Sequence, residues 1–282
     1  TGIDGINQNP IGGVDYDGLN FNYGDSHRGE IIVDSIGNCY IGTTTTSNNL
    51  TGALGSYGGN QDGLILKFDS TLSNLIWARY VGGTQRDAIY SLKVIDSNRV
   101  LVGGGTTSYD DFPVTNNSYQ TSSLQNRTVN REQADGFISI LSADGRTIER
   151  SSFISTPNYD QVYFVEFDRF NNVYAYGQTQ GGLFPTVRAP RADVGAGQFI
   201  VKLDRNLDSL EFSTTFGNGG GIGRVNISPT AFLVDRCQNI YAAGWGEEII
   251  RPVTFGDPGE GDKSITNMLV VNNGDPSIPT ST

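Results

Sequence analysis

Residues 34 to 45 read Asp34-Ser-Ile-Gly-Asn-Cys-Tyr40-Ile-Gly-Thr-Thr-Thr45, and the fold follows from their recurrence. The pattern is an aspartate, a polar turn, and an apolar-Tyr-apolar stretch closing on Gly and Thr. It returns as Asp96-Ser-Asn-Arg-Val-Leu101-Val-Gly-Gly104-Gly-Thr106, as Asp168-Arg-Phe-Asn-Asn-Val-Tyr174-Ala-Tyr-Gly177-Gln-Thr179, and as Asp235-Arg-Cys-Gln-Asn-Ile-Tyr241-Ala-Ala-Gly244. A second shared segment follows each of the first three: Asp62-Gly-Leu-Ile-Leu-Lys-Phe-Asp69, Asp135-Gly-Phe-Ile-Ser-Ile-Leu-Ser142 and Gly197-Gln-Phe-Ile-Val-Lys-Leu-Asp204. An aromatic strand ending in glycine comes next, as in Leu75 to Gly83 and Leu210 to Gly217, with a divergent copy at Ile148 to Ile154. Self-similarity at a fixed spacing marks a repeat architecture.

Each unit reads as four strands, because apolar runs of 4 to 8 residues are bounded by Gly, Asn, Asp and Ser and no 3.6-residue period persists. The units span approximately 24–83, 84–155, 156–217 and 218–282. Asp-x-x-Gly-Asn suits a hairpin turn, since Asp and Asn cap their own backbone and Gly or Asn tolerates positive φ. The glycine at 104, 177 and 244 fits a place where a side chain would strike a neighbouring sheet. Repeated four-stranded antiparallel units bury both faces by stacking radially, so the expected fold is an all-β, β-propeller arrangement of four-stranded blades. About four to five blades are visible. Leu19 to Tyr23 as a fourth strand and Met268 to Val271 as a third could complete a four-bladed ring; the favoured alternative is about four and a half blades of a larger ring, the 282 residues being a fragment of a longer chain. The surplus over a common blade length falls at one point, in Thr46 to Gln61, Thr107 to Ala134 and Gln180 to Gly197. Insertions at one point of a repeat map to one face, usually the binding face.

Composition narrows the classes. Of 282 residues 37 are Gly and 10% are aromatic, whereas only 17% are charged, which excludes a long solvated helix or coiled coil. A net charge of −11 with no basic cluster argues against nucleic acid as a partner. No apolar stretch approaches the ~20 residues that span a bilayer, so the chain is not membrane-spanning by helices. Cys39 and Cys237 lack metal spacing and stand in unlike contexts, so two unpaired thiols are expected. No targeting signal is visible in Thr1 to Pro10.

The combination of Asp-x-x-Gly-Asn-x-Tyr, Gly-x-Thr, a following Phe-Pro (Phe112-Pro113, Phe184-Pro185), Asp-Gly-Phe-Ile and aromatic-Gly-Gly resembles the bacterial β-propeller repeat of large secreted proteins. The fourth unit, Val234 to Gly246, is similar to a variant in surface proteins of gliding Bacteroidota. The resemblance covers about Tyr23 to Gly246. It departs at Thr43, which stands where the strand-two glycine should be, at Gly197-Gln198, which replaces Asp-Gly, and in the fourth unit, which lacks Phe-Pro. The resemblance implies export through type IX secretion and an extracellular or outer-membrane-associated location. It also implies a binding or scaffold role in adhesion, gliding or the secretion apparatus, with protein partners or surface polysaccharide as ligands. The Asp-Ser tripeptides at 34, 69 and 208 resemble the O-glycosylation signal of such proteins.

No residue set reads as catalytic, cofactor-binding or metal-binding, so the chain is not read as an enzyme; an extracellular propeller glycosidase or polysaccharide lyase is the alternative. His27, the single histidine, sits in the inter-blade turn Gly24-Asp-Ser-His-Arg-Gly29 and reads as an exposed turn residue, since Ser-His-Asp work needs a buried orienting acid and a positioned nucleophile. Gly217 to Gly223 fits neither phosphate-loop spacing and reads as a connector. Ser142 to Thr147 partly matches the Asp-box turn of sialidase-type propellers and falls where a hairpin is needed. The pairs Asp110/Asp111, Glu247/Glu248 and Glu260/Asp262 lie in loops, and a glycosidase pair must face across ~5–10 Å. No cofactor is expected, with Ca²⁺ at the oxygen-rich loops Asp15 to Asp17 and Asp257 to Asp262 as a minor reading. Asp34, Asp96, Asp168 and Asp235 read as turn devices, Tyr40, Tyr174 and Tyr241 as packing between blades, Trp77 as packing between sheets, and Arg28 and Arg86 as surface turn charges.

Overall fold

A computed structural model describes residues 28–125, 133–180, 184–217, 227–246 and 269–272, together with residues 19, 25 and 225. Fifteen strands and no α-helix occur among them, and no helix there is long and apolar enough to cross a membrane. The first sheet contains β1 (Glu30–Val33), β2 (Cys39–Thr45), β3 (Asp62–Phe68) and β4 (Leu75–Val81). The second contains β5 (Asp87–Val94), β6 (Val100–Thr106), β7 (Asp135–Leu141) and β8 (Ile148–Ile154), and the third β9 (Asp160–Phe167), β10 (Val173–Thr179), β11 (Gln198–Leu203) and β12 (Leu210–Phe216). The fourth has three described strands, β13 (Ile227–Val234), β14 (Asn239–Gly246) and β15 (Leu269–Asn272). Every sheet is an antiparallel meander in chain order. The all-β, four-stranded antiparallel expectation holds for the first three units, and β15 lies at the expected third strand of the fourth.

The first hairpin turn of each unit shows why the aspartate recurs. Asp34 Oδ1 accepts from the Ile36 and Asn38 backbone N–H groups, and Oδ2 from the Asn38 amide (2.9 Å) and the Tyr40 hydroxyl (3.4 Å). Asp168 repeats this with Phe170, Asn172 and Tyr174, and Asp235 with Cys237, Asn239 and Tyr241. The residue before the Asn is left-handed each time, Gly37 at φ 91°, Asn171 at 63° and Gln238 at 67°. In the second unit the loop keeps its length, but Ile95 stands at the aspartate position and Leu101 replaces the tyrosine, so Asp96, one residue later, opens a 3-10 turn and pairs with Arg99 instead.

The sheets stack face on face. One face of the first, bearing Tyr40, Ile65, Trp77 and Val81, packs on Leu92, Val100, Val102 and Leu141 of the second. The other face of the second, with Leu101, Ile138 and Ile140, packs on Val165, Val173, Val201 and Leu203 of the third. Tyr174, Tyr176, Ile200 and Phe212 of the third then cover Phe232, Val234, Ile240 and Ala242 of the fourth. Most of these side chains are fully buried, and removing one such side chain from water is worth about 1.5–3 kcal/mol. Trp77 lies in the first junction as expected, edge-on to Tyr40 and donating its indole N–H to the Ala143 carbonyl at 3.2 Å.

The recurrent strand-two glycine has a different cause from the one expected. The first strand of each later sheet carries a bulge, at Tyr90, Tyr163 and Thr230, directly against that glycine. A Cβ at Gly104 would lie 1.8 Å from the Ala88 carbonyl oxygen, one at Gly177 2.2 Å from that of Gln161, and one at Gly244 2.7 Å from that of Ser228. The collision is with the neighbouring strand of the same sheet. The β1–β2 ladder runs without a register shift and ends at Glu30 and Gly42, so Thr43 meets no bulge and the departure from glycine is accommodated.

Candidate functional site

The first strands of the four sheets meet at a polar centre. Leu19, the first residue of the expected fourth strand, is fully buried there, its carbonyl accepting from Tyr90 Oη (2.8 Å) and Gln161 Nε2 (3.0 Å); the other residues of that expected strand, 20–23, lie outside the described residues. Gln161 Nε2 also reaches Tyr90 Oη, and its Oε1 accepts from Tyr159 and Tyr163. Tyr163 Oη approaches Asp25 Oδ2 at 2.8 Å, and burial first, then the Asp25 charge, raises the Tyr163 pKa well above its ordinary value. Arg28, expected as a surface charge, lies in this centre. Its guanidinium sits 4.7 Å over the Tyr163 ring, faces Asp25 at 3.5 Å and donates to the Pro229 carbonyl of β13 at 3.3 Å. Buried rings and a buried aspartate hold the cation where a solvated turn was expected.

Beside this plug lies a charged triad that sequence reasoning missed. Glu30 of β1 accepts from Ser91 Oγ (2.6 Å), from the Leu92 backbone N–H (2.7 Å) and from Lys93 Nζ, all of β5. The same ammonium lies 3.5 Å from Glu166 of β9. Burial pushes the Glu166 carboxyl up to about 7, with the Lys93 charge opposing and Glu30 adding to the rise. Both carboxylates thus contact one nitrogen, near enough for acid and base work on a sugar. Glu30 is already saturated by three donors, however, and the ammonium stands between the pair. Lys93 and Glu166 share one repeat position, opposite Leu101 and Tyr174, and Glu30 stands at another, opposite Gly42; the available signal was a charged residue breaking an apolar strand: Gly-Glu30-Ile, Leu-Lys93-Val and Val-Glu166-Phe.

Two further acid pairs stand at the ends of the sheet junctions. Asp62 opens β3 and Asp87 opens β5. A Cβ on Gly82 would lie 3.0 Å from the carboxyl carbon of either. Asp62 Oδ2 accepts from the Gly58 backbone, and Asp87 Oδ2 from the Gly83 backbone and Ser108 Oγ, while Oδ1 of each lacks a hydrogen-bond donor. Asp135 and Asp160 repeat the arrangement at the next junction, using Gln125, Ser155 and Thr156 as donors and leaving one oxygen of each without one. All four residues are fully buried. Burial raises Asp62 to about 6, Asp87 to about 7 and Asp135 to about 6, and raises Asp160 well above the usual range, with Asp135 adding to it. At the third junction Gly197 and Ile227 occupy the two positions, so both acids are exchanged together. No group of three or more His, Cys, Asp or Glu side chains is placed to hold a metal among the described residues.

The three insertions leave the same end of their sheets and fold back along the outer edge. Leu54 bridges to β4, Thr115 and Gln120 pair with β8, and Val187 bridges to β12 at Ser213. They cover edge strands that would otherwise offer unpaired backbone. Phe112 and Phe184 anchor the two longer ones, each 4.4 Å from Phe137 or Phe199. Outside the anchors, Leu124 and Val194 are exposed.

Of the remaining candidates, Ser142 to Thr147 forms the β7–β8 hairpin, with Gly145 at φ 70°. Asp110 and Asp111 are exposed loop residues, and Cys39 and Cys237 are free thiols. Asp15, Asp17, His27, residues 218–223, Glu247, Glu248 and 257–262 lie outside the described residues.

No family model and no curated protein matches the sequence. Among solved structures, hydrazine synthase of Kuenenia stuttgartiensis is similar at TM-score 0.39 and 10% identity, over 93% of this chain and 65% of that one. CoXyl43, a GH43 β-xylosidase/α-arabinofuranosidase from a compost metagenome, gives 0.38 and 12%, over 88% and 74%. A Dyadobacter fermentans protein of unknown function gives 0.34 and 9%, over 79% and 72%. At these scores the likeness assigns neither fold family nor activity.

Proposed function

We propose that the chain is part of a β-propeller displayed at the cell surface, working as a binding scaffold in adhesion, gliding or the type IX export apparatus rather than as an enzyme. The propeller reading draws on the face-on-face meanders whose first strands meet at one polar centre. The observation that carries the binding reading is the set of three long insertions at one end of successive sheets, with Leu124 and Val194 exposed on them. Exposed apolar side chains on anchored loops suit a protein or polysaccharide partner. Export is supported by the repeat's resemblance to secreted surface proteins and by the exposure of Ser35, Ser70 and Ser209, the serines of the Asp-Ser tripeptides at 34, 69 and 208. Deleting the gene should reduce surface spreading and adhesion, and fractionation should recover the protein outside the cell. Unchanged behaviour together with a cytosolic protein would sink the reading.

One observation favours the runner-up, an extracellular glycosidase or lyase: Glu166, raised to about 7, shares an ammonium with Glu30. That reading requires turnover in a polysaccharide screen and its abolition by Glu166→Gln in a protein of undiminished stability.

A further inference from the structure

Each junction between sheets uses the same two residue rows. On the later sheet these are Leu92-Val102-Ser139-Ser151 with Val94-Val100-Leu141-Ile148, then Val165-Ala175-Val201-Ser213 with Phe167-Val173-Leu203-Leu210. Both sets are covered by the tyrosine-bearing or Leu101-bearing face of the sheet before. The first sheet carries the corresponding rows Ile31-Ile41-Leu66-Ala78 and Val33-Cys39-Phe68-Leu75. There Ile31 is 66% exposed, Val33 63% and Leu75 45%, whereas Leu92 and Val100 of the second sheet are at 0%. The rows are as apolar as those that pack, and no sheet among the described residues covers them, Ala78 alone being buried, beside Leu54 of the first insertion.

We infer that this face of the first sheet is an interface that receives a further four-stranded sheet of the same repeat, presenting a face of the kind Tyr40, Leu101 and Tyr174 present to their successors. The incoming sheet is supplied by a longer form of the same polypeptide. Three instances of one interface in this chain define the geometry it must match. An apolar patch left open on a sheet is an association site. The inference rests on the stacking part of the proposed function and is independent of what the insertions bind.

Cys39 lies in the second of these rows, opposite Val33, and provides a native reporter. With Cys237→Ser removing the other thiol, a maleimide should modify Cys39 readily in the 282-residue chain. In the longer secreted polypeptide the reaction should slow by about two orders of magnitude or more, because the thiol then reacts through local opening. Ile31→Lys with Val33→Lys should restore fast labelling in the longer polypeptide while leaving unfolding of the 282-residue chain almost unchanged. Equal labelling of the two forms overturns the inference. Protection that rises with concentration in the 282-residue chain, together with dimers in sedimentation, overturns it in favour of a second copy. Protection in its dilute monomer overturns it in favour of the chain's own remaining residues. Loss of adhesion is not a readout here, so failure of this inference and failure of the surface-binding role remain distinguishable.

Discussion

Tyr90 and Tyr163 stack ring on ring, centroids 5.4 Å apart and planes 6° from parallel, and each is the extra residue of a bulge in the first strand of its sheet. The bulge turns a residue toward the common centre, and the same bulge excludes any side chain but hydrogen from the strand beside it. Packing at the centre and the glycine signature in the sequence therefore have one origin.

Tyr163→Phe keeps the ring stack and removes the hydroxyl that faces Asp25 and Tyr159. Leaving a buried carboxyl short of a donor should cost about 1–3 kcal/mol. Urea titration at pH 7 measures it, and an unchanged midpoint would mean that the centre is solvated.

Gly104→Ala and Gly177→Ala should each destabilise by several kcal/mol, since a Cβ meets backbone oxygen that only a moved strand could vacate. Thr43→Gly, at the equivalent place without a bulge, should cost only about 1 kcal/mol through backbone entropy. Thermal unfolding of the three variants side by side tests the contrast.

Trp77→Ala should lose about 3–5 kcal/mol, because it empties the first junction and removes the bond to Ala143. A loss below about 1 kcal/mol in denaturant titration would place the indole at the surface.

The junction acids give the protein an acid-favouring stability profile. Asp62, Asp87 and Asp135 keep their protons to about 6, 7 and 6 when folded, against 3.8 as the ordinary value. Their contribution is whole below about pH 4 and is lost as pH rises through 6 and 7, since the unfolded chain releases those protons first. Melting temperature should fall between pH 5 and pH 8. Asp87→Asn, a permanent stand-in for the protonated acid, should flatten that slope and raise the melting temperature at pH 8. A steeper slope, or stabilisation by added Ca²⁺ at pH 8, would replace the proton with a metal ion.

Sequence and structure agree where local chemistry decides. The Asp34, Asp168 and Asp235 turns use side chains within six residues, so they were legible as turns, and strand periodicity placed β2, β3, β6, β7, β10 and β11. The glycine positions were legible but their cause was not, because a bulge is a property of paired strands and leaves no mark in one of them. Arg28 reads as a turn charge until Tyr163 and Pro229, brought in from two other sheets, are seen around it. Asp62 and Asp87 look like two unrelated strand starts. Only the meander places them across a junction, where burial alters their acidity. Glu30, Lys93 and Glu166 come from three sheets, and the position that Lys93 and Glu166 share carries opposite charges there and Ile32 in the first unit, so a reading keyed to recurring residue types passes over them.

Because every sheet is an unbroken stretch of chain and each junction joins only neighbours in sequence, most native contacts close within one or two units. Such a molecule can be laid down like courses of brick, each finished sheet offering a template to the next as it emerges. A polypeptide threaded through an envelope would then regain its structure progressively from the end that arrives first, with no need to wait for the whole chain.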